Sequence, residues 1–113
     1  MPDCIFCSII AKKVPADIVY KDDCVVVFKD IKPSAAIHLL VVPKKHSVTP
    51  ADTDEYTLGI MAKTAARVAC TIGIDKKGYK LLINVGRGGG QIVDHIHMHV
   101  LSDFNIKPSH EGR

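Results

Sequence analysis

The sequence predicts an α+β domain in which one short and one long helix pack on a mainly antiparallel sheet of about five strands. The spacing of apolar residues alternates between that of a helix and that of a strand, and it predicts the order helix, three strands, helix, two strands. Turn-forming residues separate these segments. The length of 113 residues indicates one folding domain rather than two. We therefore expect a domain at 1–102 and a polar, partly disordered tail at 103–113.

The first half of the chain predicts one short helix and three strands. Helical spacing of apolar residues covers 4–13, with Asp3 as a candidate N-cap. Val14-Pro15 ends this helix, because a residue before proline avoids the α region. The predicted strands cover 18–21, 24–29 and 38–43. The third strand is apolar almost throughout, which predicts burial on both of its faces.

The second half predicts one long helix and two neighbouring strands. The helix covers 52–72, where Asp52 and Glu55 resemble a capping box and Gly73 suits the helix end. One apolar stripe predicts its core face: Leu58, Met61, Ala62, Ala65, Val68, Ala69 and Ile72. The strands cover 79–85 and 95–101, on either side of a glycine-rich segment.

The last strand carries the most informative motif of the chain, His95-Ile96-His97-Met98-His99. Alternation at a spacing of two predicts three imidazoles on one strand face. Such a face beside a glycine-rich loop indicates a phosphate, metal or proton-transfer site, whereas the plain alternatives are a solvated strand or a purification artefact. The first and third imidazoles start about 13 Å apart at a rise of about 3.3 Å per residue. That separation disfavours a single metal bound by all three, and favours a phosphate attacked by one imidazole and hydrogen-bonded by another.

Composition and cysteine usage limit the function classes. The net charge is +3 without a lysine or arginine run, which favours a small anionic ligand over polymeric nucleic acid. No apolar run is long enough for a bilayer, and the N-terminus predicts no export signal, so we expect a cytoplasmic protein. Cys4 and Cys7 form a Cys-x-x-Cys pair typical of redox or metal chemistry, whereas Cys24 and Cys70 are expected to be either small buried side chains or residues without a functional role.

The histidine motif and its surroundings resemble the histidine triad family, whose signature is His-φ-His-φ-His-φ-φ with φ apolar. Further segments resemble its nucleotide-binding branch in the same order along the chain: Cys4-Ile5-Phe6-Cys7, Val14-Pro15, Val27 to Pro33, His38 to His46, Gly78 to Asn84 and Gly90 to Leu101. The resemblance covers nearly all of the chain up to Leu101. It implies hydrolysis of purine nucleoside phosphoramidates or related nucleotidyl conjugates.

The resemblance also implies roles for individual residues. His97 would attack the α-phosphorus and form a nucleotidyl-histidine, which water would then cleave to release a nucleoside monophosphate. His99 would hydrogen-bond a phosphate oxygen, while His95 and His38 would orient His97. Asp30 would bind the ribose hydroxyls. The remaining nucleotide-binding residues implied are Phe6, Phe28 and Ile31 around the base, and Asn84, Gly90 and Gln91 near the phosphate.

A structural zinc and a homodimer are further implications of the resemblance. Some family members hold zinc through residues that correspond to Cys4, Cys7, His46 and His95, a closed tetrahedral set that would take no part in the chemical step. Members of the branch are usually homodimers through the long helix and the 79–85 strand. The chain departs from the family pattern at Ile92, where relatives often carry a polar residue near the leaving group. This departure leaves a nucleotide-binding regulatory module with incidental turnover as the alternative function.

Overall fold

Five antiparallel strands form one sheet in the order β1-β2-β3-β5-β4 in the computed structural model, which describes residues 4–103. The strands are β1 (Ile18–Lys21), β2 (Val25–Lys29), β3 (Ile37–Pro43), β4 (Lys80–Leu82) and β5 (Met98–Ser102). The helices are α1 (Ile5–Ile10) and α2 (Glu55–Ile72), and short 3-10 turns cover Pro50–Asp52 and Arg87–Gly89. The predicted α+β class, with a five-stranded antiparallel sheet and one long and one short helix, is confirmed.

Each face of the sheet is covered by one helix. Alternate residues of β2 and β3 face α2 in one apolar cluster that includes Val27, Val41 and Met61. The intervening residues face α1 in a second cluster that includes Phe6 and Phe28. Because both faces are covered, β3 is buried from His38 to Pro43, as its apolar sequence predicted.

The face toward α1 carries the polar side chains of the site. His38 has the same parity along β3 as Leu40 and Val42, which belong to the α1 cluster. His99 of β5 pairs directly with Leu40, and directly opposed residues share a face of the sheet. Strand register therefore brings two histidines that are 61 residues apart in sequence to one place.

Helix α1 is shorter than the predicted 4–13. Its N-cap is Cys4, whose sulfur accepts the Cys7 amide at 3.3 Å, while the predicted cap Asp3 lies outside the described residues. The helix stops at Ile10 because Lys12 adopts a left-handed φ of 63°. The Lys13 amide then donates back to the Ser8 carbonyl at 2.9 Å, which closes the last turn before the predicted Val14-Pro15 stop.

The N-cap of helix α2 lies two residues after the predicted N-cap, Asp52. The N-cap is Asp54, whose carboxylate accepts the Thr57 amide at 3.0 Å. The predicted box between Asp52 and Glu55 is wrong, because Asp52 accepts the Thr49 amide and caps the preceding 3-10 turn. The helix end is confirmed, since Gly73 takes the left-handed conformation at φ 86°. The predicted stripe is buried at four positions, Met61, Ala65, Val68 and Ala69, whereas Ile72 is exposed.

Several smaller expectations also change. The predicted strand 79–85 is only three residues long in β4, whose side chains are exposed, although it does neighbour β5 as expected. Cys24 is half-buried, but Cys70 is exposed and not buried as predicted. Within residues 4–103, no helix has the length and apolar character that crossing a membrane requires. The tail beyond residue 103 lies outside the described part of the chain.

Candidate active site and metal cluster

The predicted histidine strand forms only in part. Strand β5 starts at Met98, so the predicted start at His95 is wrong, and of the three histidines only His99 belongs to the strand. The three rings nevertheless lie on the α1 side of the sheet, because Phe6 packs edge-to-face on both His95 and His97, and His97 packs on His99. Nε2 of His95 donates to the Pro43 carbonyl at 2.8 Å, while its Nδ1 faces the two thiols of the Cys-x-x-Cys pair. His95 and His97 therefore belong to two neighbouring groups of residues.

His97 has one defined tautomer. Its Nδ1 lies 2.8 Å from the carbonyl oxygen of His95, and because a carbonyl only accepts, Nδ1 carries the hydrogen. The lone pair is therefore on Nε2. Burial of the ring lowers the pKa of His97, which keeps the imidazole neutral near pH 7. Phe6 packs its ring edge-to-face against His97 at a centroid distance of 5.0 Å. This arrangement is what a nitrogen nucleophile needs.

His38 and His99 form a hydrogen-bonded relay that begins at a backbone amide. The Ser34 amide donates to Nδ1 of His38 at 3.0 Å, so the hydrogen of His38 is on Nε2. That Nε2 donates to Nδ1 of His99 at 2.8 Å, which leaves the hydrogen of His99 on its own Nε2. Among the described residues, this last nitrogen is buried without a hydrogen-bond partner. The relay therefore ends in one unused N–H donor.

Electrostatics keep the relay neutral. Burial lowers the pKa of His99 to about 4, with further lowering by His97 and His38. Burial also lowers the pKa of His38, although Asp30 opposes this shift from a carboxylate oxygen 3.3 Å from Nε2. A neutral His99 still donates through Nε2–H, so the group next to His97 is a polar donor without a full charge.

The other predicted nucleotide-binding residues surround this centre to different degrees. Asp30 is anchored by the Lys32 amide at 2.8 Å and keeps a partly exposed carboxylate. Phe6 and Phe28 are core residues in edge-to-face contact at 5.5 Å. Ile31 is 90% exposed and has no packing role. An exposed isoleucine beside a carboxylate that is 19% exposed is compatible with a base and ribose pocket.

The loop before the motif is held by Gln91. This side chain is buried and uses both amide hydrogens on the carbonyls of Val48 at 2.8 Å and Val93 at 3.0 Å. Its oxygen accepts the Gly86 amide at 2.9 Å, so Gln91 organises the loop and has no amide hydrogen left for a phosphate. Asn84 donates to the Gly89 carbonyl at 2.8 Å. Gly90 takes φ 87° directly beside Asn84, a conformation that favours glycine.

A second cluster combines the four predicted metal ligands. Nδ1 of His95 lies 3.2 Å from Sγ of Cys4 and 3.6 Å from Sγ of Cys7, and Nδ1 of His46 lies 3.1 Å from Nδ1 of His95 and 3.4 Å from Sγ of Cys7. Zinc–ligand bonds of about 2.0–2.3 Å in a tetrahedron place donor atoms about 3.3–3.8 Å apart. The observed distances agree closely with that arrangement.

The hydrogen positions of this cluster also favour a cation. Because Nε2 of His95 donates to Pro43, its Nδ1 carries only a lone pair. Three potential ligand atoms, from Cys4, Cys7 and His46, converge on this single lone pair. Ordinary hydrogen bonding satisfies only one of them, whereas a metal ion accepts all four donors at once. The residues therefore fit a structural zinc site.

Sequence reasoning missed the backbone groups that orient the histidines. The Ser34 amide, the Pro43 carbonyl and the His95 carbonyl each fix one imidazole. Backbone groups are present at every residue, so no side-chain pattern could have indicated them. The ion pair between Arg87 and Asp94 at 3.0 Å, which bridges the two ends of the glycine-rich loop, was also not predicted.

Comparison with known proteins identifies the family of the chain and agrees with its fold. The family model described as HIT domain matches residues 11–106. The chain belongs to this family of histidine triad proteins. It is 43% identical to the purine nucleoside phosphoramidase of Escherichia coli K12, over 96% of this chain and 95% of that protein.

Solved structures give the same result. A HIT family hydrolase from Clostridium thermocellum superposes with a TM-score of 0.89 at 38% identity, and 96% of each chain is covered. A zinc-bound histidine triad family protein from Mycobacterium smegmatis superposes with a TM-score of 0.82 at 36% identity, covering 92% of this chain and 77% of that one. The resemblance inferred from the motifs is thus confirmed at the level of family and fold.

Proposed function

We propose that this protein is a hydrolase of purine nucleoside phosphoramidates or related nucleotidyl conjugates, and that it releases a nucleoside monophosphate. The observation that carries the proposal is the neutral His97 imidazole, whose Nδ1 is committed to a carbonyl and whose Nε2 lone pair remains. The 43% identity to a purine nucleoside phosphoramidase over nearly the full length supports the substrate class.

The mechanism has two displacements at phosphorus. Nε2 of His97 attacks the α-phosphorus, the phosphorus–nitrogen bond to the leaving group breaks, the departing nitrogen takes a proton from solvent water and leaves as an amine, and a nucleotidyl-histidine forms. Water then attacks the same phosphorus and gives a proton to solvent, the phosphorus–nitrogen bond to His97 breaks, and the monophosphate leaves as the imidazole regains its Nε2 lone pair. The unused Nε2–H of His99 donates to a phosphate oxygen, whose charge grows in each transition state. Asp30 accepts hydrogen bonds from the ribose, and Phe6, Phe28 and Ile31 flank the base.

The first prediction tests the nucleophile. Incubation with adenosine 5′-phosphoramidate is expected to release AMP, and His97→Ala is expected to lower the rate by at least about a thousandfold, because the nucleophile is removed. Quenched wild-type reactions should yield an adenylyl adduct that peptide mass spectrometry maps to residue 97. His110→Ala, a histidine outside the proposed site, is the matched control. Equal turnover by the His97→Ala protein, with an unchanged melting curve, would refute this mechanism.

A nucleotide-binding regulatory module with incidental turnover is the second candidate, and Ile92 favours it. This residue follows Gln91 and is 85% exposed, and an isoleucine cannot donate a proton to a leaving amine. The regulatory function predicts measurable AMP affinity but negligible turnover across several leaving groups. An Ile92→Ser protein with strongly increased turnover would support that interpretation.

We propose a structural zinc at Cys4, Cys7, His46 and His95, which acts in folding and takes no part in the chemical step. The distances within the cluster and the zinc-bound relative support it. Thiols that serve as zinc ligands must stay reduced, so we also propose that the protein works in the cytoplasm. Recovery of the native protein in a membrane or export fraction would contradict this location.

We propose a homodimer through β4 and α2. β4 is an edge strand, and Leu81 and Leu82 are each 39% exposed on it, while Val85 is 50% exposed just beyond. Exposed apolar residues on an open strand edge favour pairing with a second copy. The second prediction is that light scattering gives twice the chain mass of 12.3 kDa, and that Leu81→Asp converts the protein to monomer. A monomeric wild type would be contrary to the proposal.

A further inference from the structure

A basic pocket lies apart from the histidines, at the other end of α1. It is a surface pocket of about 340 Å³ that is lined by apolar and charged residues. Its lining residues are Ile10, Lys12, Ile18, Lys21, Asp22, Asp23, Val26 and Lys44. None of them belongs to the candidate active site or the metal cluster.

The three lysines converge from separate parts of the chain. Lys12 follows α1, Lys21 ends β1, and Lys44 follows β3. In the described part of the chain, none of the three has an ion-pair partner. Repulsion from Lys12, with a smaller contribution from Lys44, lowers the pKa of Lys21. The fold thus holds three like charges close together, and the Asp22 carboxylate interacts electrostatically with one of them, Lys44, without forming an ion pair.

The two carboxylates of the pocket offset the charge of the three lysines only in part: Lys44 lowers the pKa of Asp22, whose oxygens are also held by hydrogen bonds. One oxygen of Asp22 accepts the amides of Cys24 at 2.7 Å and Val25 at 2.9 Å, and the other accepts the Tyr20 hydroxyl at 2.7 Å. Asp22 is therefore committed to the β1–β2 turn. Asp23 is exposed and makes no ion pair within residues 4–103.

The backbone at Lys12 is a second, independent observation. Its φ is 63°, the left-handed conformation that terminates α1, where glycine is usually found. A residue with a Cβ costs about 1 kcal/mol at such a position. A lysine at this position is therefore less favourable for folding than a glycine. What distinguishes the position from a helix end occupied by glycine is the lysine side chain.

We propose that Lys12, Lys21 and Lys44 form a binding site for a phosphorylated ligand. Two or more negative charges of the ligand would contact the lysines, and its apolar part would contact Ile10, Ile18 and Val26. Lysine binds phosphate as a point charge, and three ammonium groups suit a pyrophosphate better than a single carboxylate. The ligand relieves the repulsion among the lysines. The site is independent of the proposed hydrolase activity.

The test is a titration of 15N-labelled full-length protein with pyrophosphate at low salt. Binding is measured from the changes in backbone amide chemical shifts. Saturable shifts are expected at residues 12, 21 and 44. Lys44→Ala is expected to weaken binding about tenfold, as the loss of one charge-assisted contact predicts. Lys29→Ala is the matched control, because Lys29 is on the adjacent strand and is paired with Asp17 at 3.4 Å. It should bind pyrophosphate like the wild type.

Lys12→Gly separates the binding role from a structural one. Glycine relieves the left-handed backbone, so this variant should melt at a higher temperature and yet bind pyrophosphate about tenfold more weakly. A lower melting temperature, or unchanged affinity, would overturn the assignment of Lys12. Equal weakening in the Lys29→Ala control, or shifts confined to the histidine site, would overturn the pocket as a specific site.

Discussion

At the scale of single residues, the ionisation of His97 decides whether the proposed chemistry is possible. An imidazolium has no lone pair to attack phosphorus, so His97 must be neutral. The protein achieves this by burying the ring, since burial disfavours the charged form and lowers its pKa. The carbonyl of His95 then selects the tautomer. Burial thus keeps the nucleophile neutral although the hydrogen bond to the His95 carbonyl raises the pKa, and that bond fixes which nitrogen carries the lone pair.

The third prediction follows from the sign of these shifts. A lowered pKa means that protonation occurs only at lower pH, so His97 and His99 stay neutral below the ordinary histidine value of 6.5. We expect kcat/KM to be level near pH 7 and to fall at lower pH with a midpoint below 6.5. Initial rates of AMP release, corrected for uncatalysed hydrolysis, give this midpoint. A midpoint at or above 6.5 would contradict the buried neutral imidazole.

The site was predictable from sequence where side chains carry the information. The motif correctly indicated that His97 and His99 are neighbours, and their ring centroids lie 5.1 Å apart. It could not indicate that His95 turns toward Pro43, since that contact joins residues 52 apart in sequence. The role of Gln91 as a loop anchor depends in the same way on backbone groups brought together only by folding.

At the scale of elements, long periodic segments were predictable and their ends were not. β2, β3 and α2 follow the apolar spacing of their sequences, because most apolar residues at that spacing are buried between the sheet and a helix and stabilise the element. Ends depend on competing local contacts. Asp52 and Asp54 are both good capping residues, and the structure uses one for the 3-10 turn and the other for α2. Helix α1 ends early because Lys12 turns left-handed.

The fourth prediction concerns the end of α2. Gly73 has φ 86°, where a Cβ is strained although no atom lies within 4 Å of it, so Gly73→Ala should lower the free energy of unfolding by about 1 kcal/mol. Gly59, inside the same helix, also has open space around a Cβ position and an ordinary φ, so Gly59→Ala should raise it by about 0.5–1 kcal/mol. Urea denaturation measures both changes. Shifts of the same sign would refute the conformational explanation.

At the scale of the whole molecule, the metal cluster lies where the start of α1 meets two segments that flank the paired strands β3 and β5. Cys4 and Cys7 bracket the start of α1, His46 follows β3, and His95 precedes β5. Phe6 lies between the two thiols in sequence and packs on His97. An ion at this cluster would therefore hold α1, and with it the wall of the active site, against the sheet. A small domain gains much from such a link, since its core alone supplies limited stability.

The fifth prediction is that zinc stabilises the fold without entering the reaction. The purified protein should contain one zinc per chain, and so should Cys70→Ser, whose thiol is exposed and outside the cluster. Cys4→Ser should lose the metal. Removing an ion present at a thousandfold excess over its dissociation constant lowers stability by about 4 kcal/mol, so melting should fall clearly in Cys4→Ser and after chelation. Elemental analysis and thermal denaturation measure these effects. His97→Ala should retain zinc, because the His97 ring offers no ligand atom to the cluster and contacts this region through the His95 carbonyl and the Phe6 ring. Loss of zinc in His97→Ala, or retention in Cys4→Ser, would assign the metal to the triad instead.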